Sequence, residues 1–197
     1  MPKKALRHAM LARRKSLTAD EVHAASLRVQ QAFVASPEFA RAEVIALYSP
    51  IHGEVDTGEV MRTALAAGKK VLFPAVCGED LRFYRVAGQG ELRKGAFGIH
   101  EPCSAQQAIH PDAADIIVLP GVAFDLFGRR IGYGKGFYDR AVHHLEGQGR
   151  LVGFCHDFQL VAEIAGEPHD VAIDLIFTDQ RIVRPGGYYR SGEVQGN

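Results

Sequence analysis

A chain of 197 residues, 47% hydrophobic and 23% charged, has enough apolar material for one sizeable core and reads as a single domain over 1–197. No apolar run approaches the roughly 18 residues of a membrane span, and the N-terminus lacks the apolar stretch of a signal peptide, which predicts a soluble, cytoplasmic protein with no membrane partner. Three cysteines, Cys77, Cys103 and Cys155, stand far apart and in no CxxC spacing, arguing against a disulfide framework and a cysteine zinc site.

The formal net charge of zero hides an asymmetry. Lys3, Lys4, Arg7, Arg13, Arg14 and Lys15 precede the first acid, Asp20. A basic helix is expected over about 1–15, with Leu6, Ala9, Met10 and Arg13 at helical spacing. Such a segment suits a nucleic-acid arm, a presequence, a site for an anionic small molecule, or a solvated face. The neutral total and the lack of interleaved aromatics weigh against nucleic acid. "LTADEV" then offers Thr18 as N-cap with Glu21 as its capping-box partner, starting a second helix that runs toward Ser36-Pro37. "VIALYS" (44–49) reads as a strand, "HGEVDTGE" as a loop capped by Asp56 or Thr57, and "VMRTALAAG" as a helix ending at Gly68. "KVLFPAV" and "LRFYRV" are strands, 88–98 a Gly-rich region, and "DIIVLP" a buried strand. A helix from about 137, then "LVGFC" and "IDLIFT", complete the series, and the tail 186–197 is expected to be loosely ordered. The alternation predicts an α/β fold, a three-layer α/β/α domain around a mostly parallel sheet.

Ligands of such sheets bind beyond the carboxyl ends of the strands. Two loops meet that condition, one carrying Glu54 and one carrying "GRRIGYGKGFYDR" (128–140), and both are expected to face one crevice. The second is neither a Walker A loop nor GxGxxG, since Gly136 follows Lys135 and residue 137 is Phe. Its physics is nonetheless that of an anion nest. Gly132, Gly134 and Gly136 allow backbone N–H groups to converge, while Arg129, Arg130 and Lys135 add charge. A carboxylate at Asp139 beside polyphosphate is what a bridging Mg²⁺ requires. An ordinary turn with solvated charges is the competing reading.

"LPGVAFDLFGRRIGYGKGFYDR" resembles the signature of the 5-formyltetrahydrofolate cyclo-ligases, and the likeness extends through "KKALR", "LYSPIHGEVDT", "GKKVLFPAV", "GAFGIHEP", "LVGFCHDFQL", "EPHDVAID" and "FTD" in order. The resemblance implies an ATP- and Mg²⁺-dependent ring closure of 5-formyltetrahydrofolate to 5,10-methenyltetrahydrofolate, through phosphorylation of the formyl oxygen. Both partners are then small molecules, and the protein is expected to be a monomer. Phosphoryl transfer needs positioning and charge neutralisation more than a nucleophile, and no Ser-His-Asp or Cys-His set stands out.

By the same resemblance, Lys3, Lys4 and Arg7 are ATP contacts, with Arg130, Ile131, Gly132, Tyr133, Gly134, Lys135, Gly136, Phe137 and Tyr138 as the phosphate loop. Lys135 and Arg130 are the catalytic candidates. Asp139 and Asp174 are the Mg²⁺ carboxylates. Ser49 and Glu54, with residues 133–137, border the folate, Glu54 as acceptor of paired pterin N–H groups. Plainer roles exist: Glu54 near a helix start, Asp174 on the solvent side of a strand. His143 and His144 are a poor metal pair because adjacent helical positions do not share a face. His169 could order the loop near Asp170. A diverged member that binds without turnover, or acts on another formamide, stays open, as does a basic-arm RNA-binding module.

Overall fold

The computed structural model describes residues 2–95, 98–102, 107–167 and 170–185. Cys103, His169 and the tail 186–197 lie outside the described residues. Helices α1 (Lys3–Lys15), α2 (Ala19–Val34) and α3 (Pro37–Arg41) precede strand β1 (Val44–Ala46), and α4 (Gly58–Ala66) leads into β2 (Lys70–Cys77) and β3 (Asp80–Val86). A ribbon of β4 (Leu92–Lys94) and β5 (His100–Pro102) follows, then β6 (Ile116–Leu119), the hairpin β7 (Ala123–Asp125) and β8 (Arg130–Ile131), and α5 (Phe137–Val142). The chain finishes with β9 (Leu151–Cys155), β10 (Leu160–Val161), β11 (Leu175–Thr178) and β12 (Ile182–Val183).

The main sheet has the order β12-β11-β9-β6-β1-β2-β3. Its five inner strands are parallel and only the two edges, β12 and β3, run antiparallel. Because β2 lies on one side of β1 and β6 on the other, the winding reverses between β1 and β6. That switch point opens a crevice beyond the carboxyl ends of these two strands.

Alternation along the strands divides the core. Ile45, Val71, Phe73, Val118, Val152, Phe154, Leu175 and Phe177 meet α2, α3 and α4 through Val29, Phe33, Phe39, Val60 and Met61. Ala46, Leu72, Ile117, Leu119, Leu151 and Ile176 face the other way, onto Val142, Leu145, Phe124 and Ile173. Both faces are covered, which is why these strands read as continuous apolar runs. The expected three layers are present, but the second outer layer is thin. It consists of the short α5 and a separate three-stranded sheet, β10-β7-β8.

Local signals act where the sequence puts them. Thr18 and Glu21 form the capping box of α2, each bonding the other's backbone N–H. The start of α4 is held by Asp56, whose Oδ1 accepts from Gly58 N at 2.8 Å, and by Gln30 of α2, whose Oε1 accepts from Glu59 N at 2.8 Å. In α1 the register differs from the expected one: Ala9 and Arg13 are exposed, whereas Leu6 and Arg14 are buried. This helix packs through Leu6 and Met10 on Val122, Ala123, Ile131 and Ile164 of the small sheet and its flanks, which carries its basic face over the crevice.

Candidate active site

The crevice is organised by a buried arginine. Arg14 is 2% exposed. Its Nε donates to His52 O at 2.9 Å, one terminal nitrogen donates to Gly121 O at 3.2 Å, and the other donates to the Tyr133 hydroxyl. One guanidinium thus fastens together the loop after β1, the loop after β6 and the glycine-rich loop after β8. The expectation that the two ligand loops face one crevice holds in this geometry. Gln159 reinforces the same point, since its Nε2 donates to both Gly121 O and Val122 O.

Glu54 lies against this arginine. Its Oε2 accepts from Ile51 N at 3.0 Å, whereas Oε1 is buried, 3.8 Å from an Arg14 nitrogen, with no hydrogen-bond partner. Burial raises its pKa to about 7, against the opposing pull of Arg14, the Ile51 N–H and the Tyr133 hydroxyl. The loop that presents it is fixed at both ends: Tyr48 Oη donates to Val55 O at 2.6 Å and Thr57 Oγ1 donates to Tyr48 O at 2.8 Å. Tyr133 and Tyr138 are both perturbed by the Glu54 charge. Burial first, and that charge second, push the Tyr133 phenol up to about 12 and the Tyr138 phenol higher still. Ser49 is buried and donates to His100 O.

The glycine-rich loop adopts the conformation an anion nest needs at two of its three glycines. Gly134 has φ +94° and Gly136, the N-cap residue of α5, has φ +65°, in the left-handed region that disfavours side chains. Gly132 has no positive φ. Instead, its carbonyl accepts from Arg7 Nε at 2.9 Å, which ties α1 to the loop. Lys135 is exposed. Arg130, the other catalytic candidate, is buried. It is 6% exposed and donates to Asp139 Oδ1 at 3.0 Å and to Val171 O at 3.3 Å, so it braces the underside of the loop.

Lys3 and Lys4 diverge. Lys4 is exposed. The Lys3 ammonium lies 2.7 Å from both Glu167 and Asp170; burial works to lower its pKa, but these two carboxylates leave it raised. Of the remaining basic side chains of α1, Arg13 covers the Phe158 ring and Arg7 and Arg14 serve the loops. Lys3, Arg7 and Arg14 are thus committed within the molecule, while Lys4, Arg13 and Lys15 remain exposed. Asp174 is held by the backbone. Its Oδ2 accepts from Leu151 N at 2.9 Å, at the amino ends of β9 and β11. Burial raises its pKa although backbone N–H groups oppose the shift.

A model of the 5-formyltetrahydrofolate cyclo-ligase family matches residues 1–179. This chain belongs to that family. The 5-formyltetrahydrofolate cyclo-ligase of Escherichia coli is 29% identical over 175 residues, covering 86% of this chain and 96% of the relative. That of Mycolicibacterium smegmatis is 30% identical over 185 residues, covering 91% and 94%. The solution structure of Aquifex aeolicus 5,10-methenyltetrahydrofolate synthetase is similar to this fold with a TM-score of 0.85 at 34% identity, covering 100% of this chain and 97% of that one. A 5,10-methenyltetrahydrofolate synthetase from Mycoplasma pneumoniae gives 0.74 at 27% identity, covering 91% and 99%.

Within this cyclo-ligase family member, Tyr133 and Tyr138 both feel the Glu54 charge, Arg7 holds the Gly132 carbonyl of the same glycine-rich loop, and Lys135 is exposed. The residue the sequence reading missed is Arg14, counted there only among the basic residues of the arm. The available signal was the spacing of Lys3, Leu6/Arg7, Met10/Leu11 and Arg14, which is helical if an arginine is admitted to the inner face.

Proposed function

We propose that this protein catalyses the ATP- and Mg²⁺-dependent conversion of 5-formyltetrahydrofolate into 5,10-methenyltetrahydrofolate, releasing ADP and phosphate. The observation that carries the reading is the buried, unpartnered Oε1 of Glu54 at the switch point, 3.8 Å from Arg14. A buried acceptor without a donor is destabilising by about 1–3 kcal/mol, and a pterin edge that presents paired N–H groups relieves it. Family membership and the similar solved structures support the same assignment.

In this reading Glu54 orients the pterin, and the Tyr133 ring, held by Arg14, closes the crevice beside it. The N–H groups around Gly134 and Gly136, with Arg7 and Lys135, hold the phosphates of ATP. The formyl oxygen attacks the γ-phosphorus as the bond to ADP breaks. The neighbouring ring-closing nitrogen then adds to the activated carbon, loses its proton, and phosphate departs. Mg²⁺ accompanying ATP fits Asp139, a partly exposed carboxylate next to the loop, because this ion is commonly held by one or two carboxylates together with substrate phosphates. When bound it supplies charge neutralisation. Asp174, bonded to Leu151 N, is left out of that role. The test is a coupled assay following the methenyl chromophore and ADP together. One ADP per methenyl group formed, with no product when either ATP or Mg²⁺ is omitted, is the expected outcome; product without ATP consumption overturns it.

A further inference from the structure

Away from the crevice, a second group of side chains converges between the connection into β6 and the end of α5. His110 precedes the single turn Pro111–Ala113, which carries Asp112, and His144 lies in the turn His143–Leu145 that extends α5. His144 Nε2 is 2.5 Å from Asp112 Oδ1, and His110 Nδ1 is 3.1 Å from Asp112 Oδ2. The three ligand atoms all lie within 4.8 Å of one another, and among the described residues no other group of three or more His, Cys, Asp or Glu does so. We propose that His110, Asp112 and His144 form a binding site for a divalent transition-metal ion of the zinc class.

The donor set selects the ion. Two imidazole nitrogens and one carboxylate suit zinc and its neighbours in the first transition row, whereas Mg²⁺ prefers an all-oxygen shell. The spacing also suits it. Tetrahedral bonds of about 2.0–2.2 Å separate ligand atoms by roughly 3.3–3.6 Å, inside the 4.8 Å within which the three atoms lie. All three side chains are exposed, so small rotations bring them to that distance. Their main chain, by contrast, is fixed. Asp112 O accepts from an Arg150 guanidinium nitrogen at 3.2 Å, Ala113 N donates to His110 O at 3.0 Å, and His144 O accepts from Gln148 Nε2 at 2.8 Å. The pairing differs from the adjacent His143 and His144: the second imidazole comes from a segment 34 positions earlier, brought alongside by the fold.

Three protein ligands leave one position of a tetrahedral ion open. His110 and His144 also line an open pocket of about 540 Å³ shared with Arg82, Phe137, Arg140 and His143. The ion would tie the turn before β6 to the far end of α5. At the near end of this helix Arg140 donates to Lys135 O at 3.0 Å, within the glycine-rich loop.

The test is calorimetric titration of zinc and, separately, nickel into tag-free full-length protein stripped of metal with chelator and dialysed. One ion per chain is expected for the native protein. His110→Gln and His144→Gln should each weaken binding at least tenfold, His143→Gln should bind as the native chain does, and excess Mg²⁺ should not compete. Circular dichroism checks that each variant is folded, and turnover in zinc-free buffer should be unchanged in all three. Absence of saturable binding at micromolar zinc, undiminished affinity in both the His110 and His144 variants, or an equal loss in His143→Gln would overturn the assignment.

Discussion

Replacing Glu54 by glutamine should make the protein more stable and less able to recognise folate. The free carboxylate is neutral in both folded and unfolded states well below its ordinary pKa of 4.5. As pH rises from there toward about 7, the unfolded chain ionises while the folded carboxyl holds its proton, so stability is lost across that window and the loss levels off above it. A shift from 4.5 to about 7 at about 1.4 kcal/mol per pH unit amounts to roughly 3 kcal/mol at pH 8. Glutamine removes the charge but leaves a buried amide imperfectly bonded, which reduces the expected gain to about 2–3 kcal/mol. For a domain of this size that raises Tm by about 4–10 °C. Thermal melts of both proteins between pH 5 and pH 8 measure it, and the gap should shrink toward pH 5. Folate affinity should fall roughly ten- to a hundredfold, the loss of one charge-assisted pairing. A variant no more stable than the native protein at pH 8, or a gap that does not change with pH, would refute the claim that Glu54 is held desolvated for a ligand.

Two further outcomes follow from the same geometry. Arg14→Met should destabilise the fold by about 3–5 kcal/mol in urea melts at pH 8, because it takes the opposing charge away from the buried Glu54 and leaves the His52 carbonyl without a donor; unchanged stability would mean that the three loops are held by other contacts. Gly134→Ala forces a side chain onto φ +94° and should cost about 1–2 kcal/mol at the loop, read as roughly a tenfold rise in KM for ATP with folate binding retained.

Legibility in the sequence followed how local each cause was. Thr18 and Glu21 stand three residues apart and announced the start of α2 unaided, and the strands buried on both faces were plain as apolar runs. The glycine-rich loop displayed its need for left-handed backbone at Gly134 and Gly136, though not that Gly132 would serve through its carbonyl. What stayed hidden depended on distant partners. Arg14 resembles any surface arginine until Gly121 and Tyr133 arrive to receive it, and an inner helix face is normally sought among apolar residues. Arg130 and Asp174 carry the charge expected of a site, yet burial turns one to Asp139 and Val171 and the other to the backbone of Leu151. Charge is legible in a sequence; whether it is spent inside the protein is decided by tertiary packing.

The seating of α1 bears on the order in which the molecule is assembled. Arg14 reaches residues 107 and 119 positions later in the chain, and Lys3 reaches one 167 positions later. These contacts of α1 therefore all require chain more than 100 residues further on. Closing such long loops is entropically slow, and until it happens Glu54 faces a crevice with no arginine across it. However much of the sheet has formed, the three loops stay unjoined until the Arg14 guanidinium is seated among them.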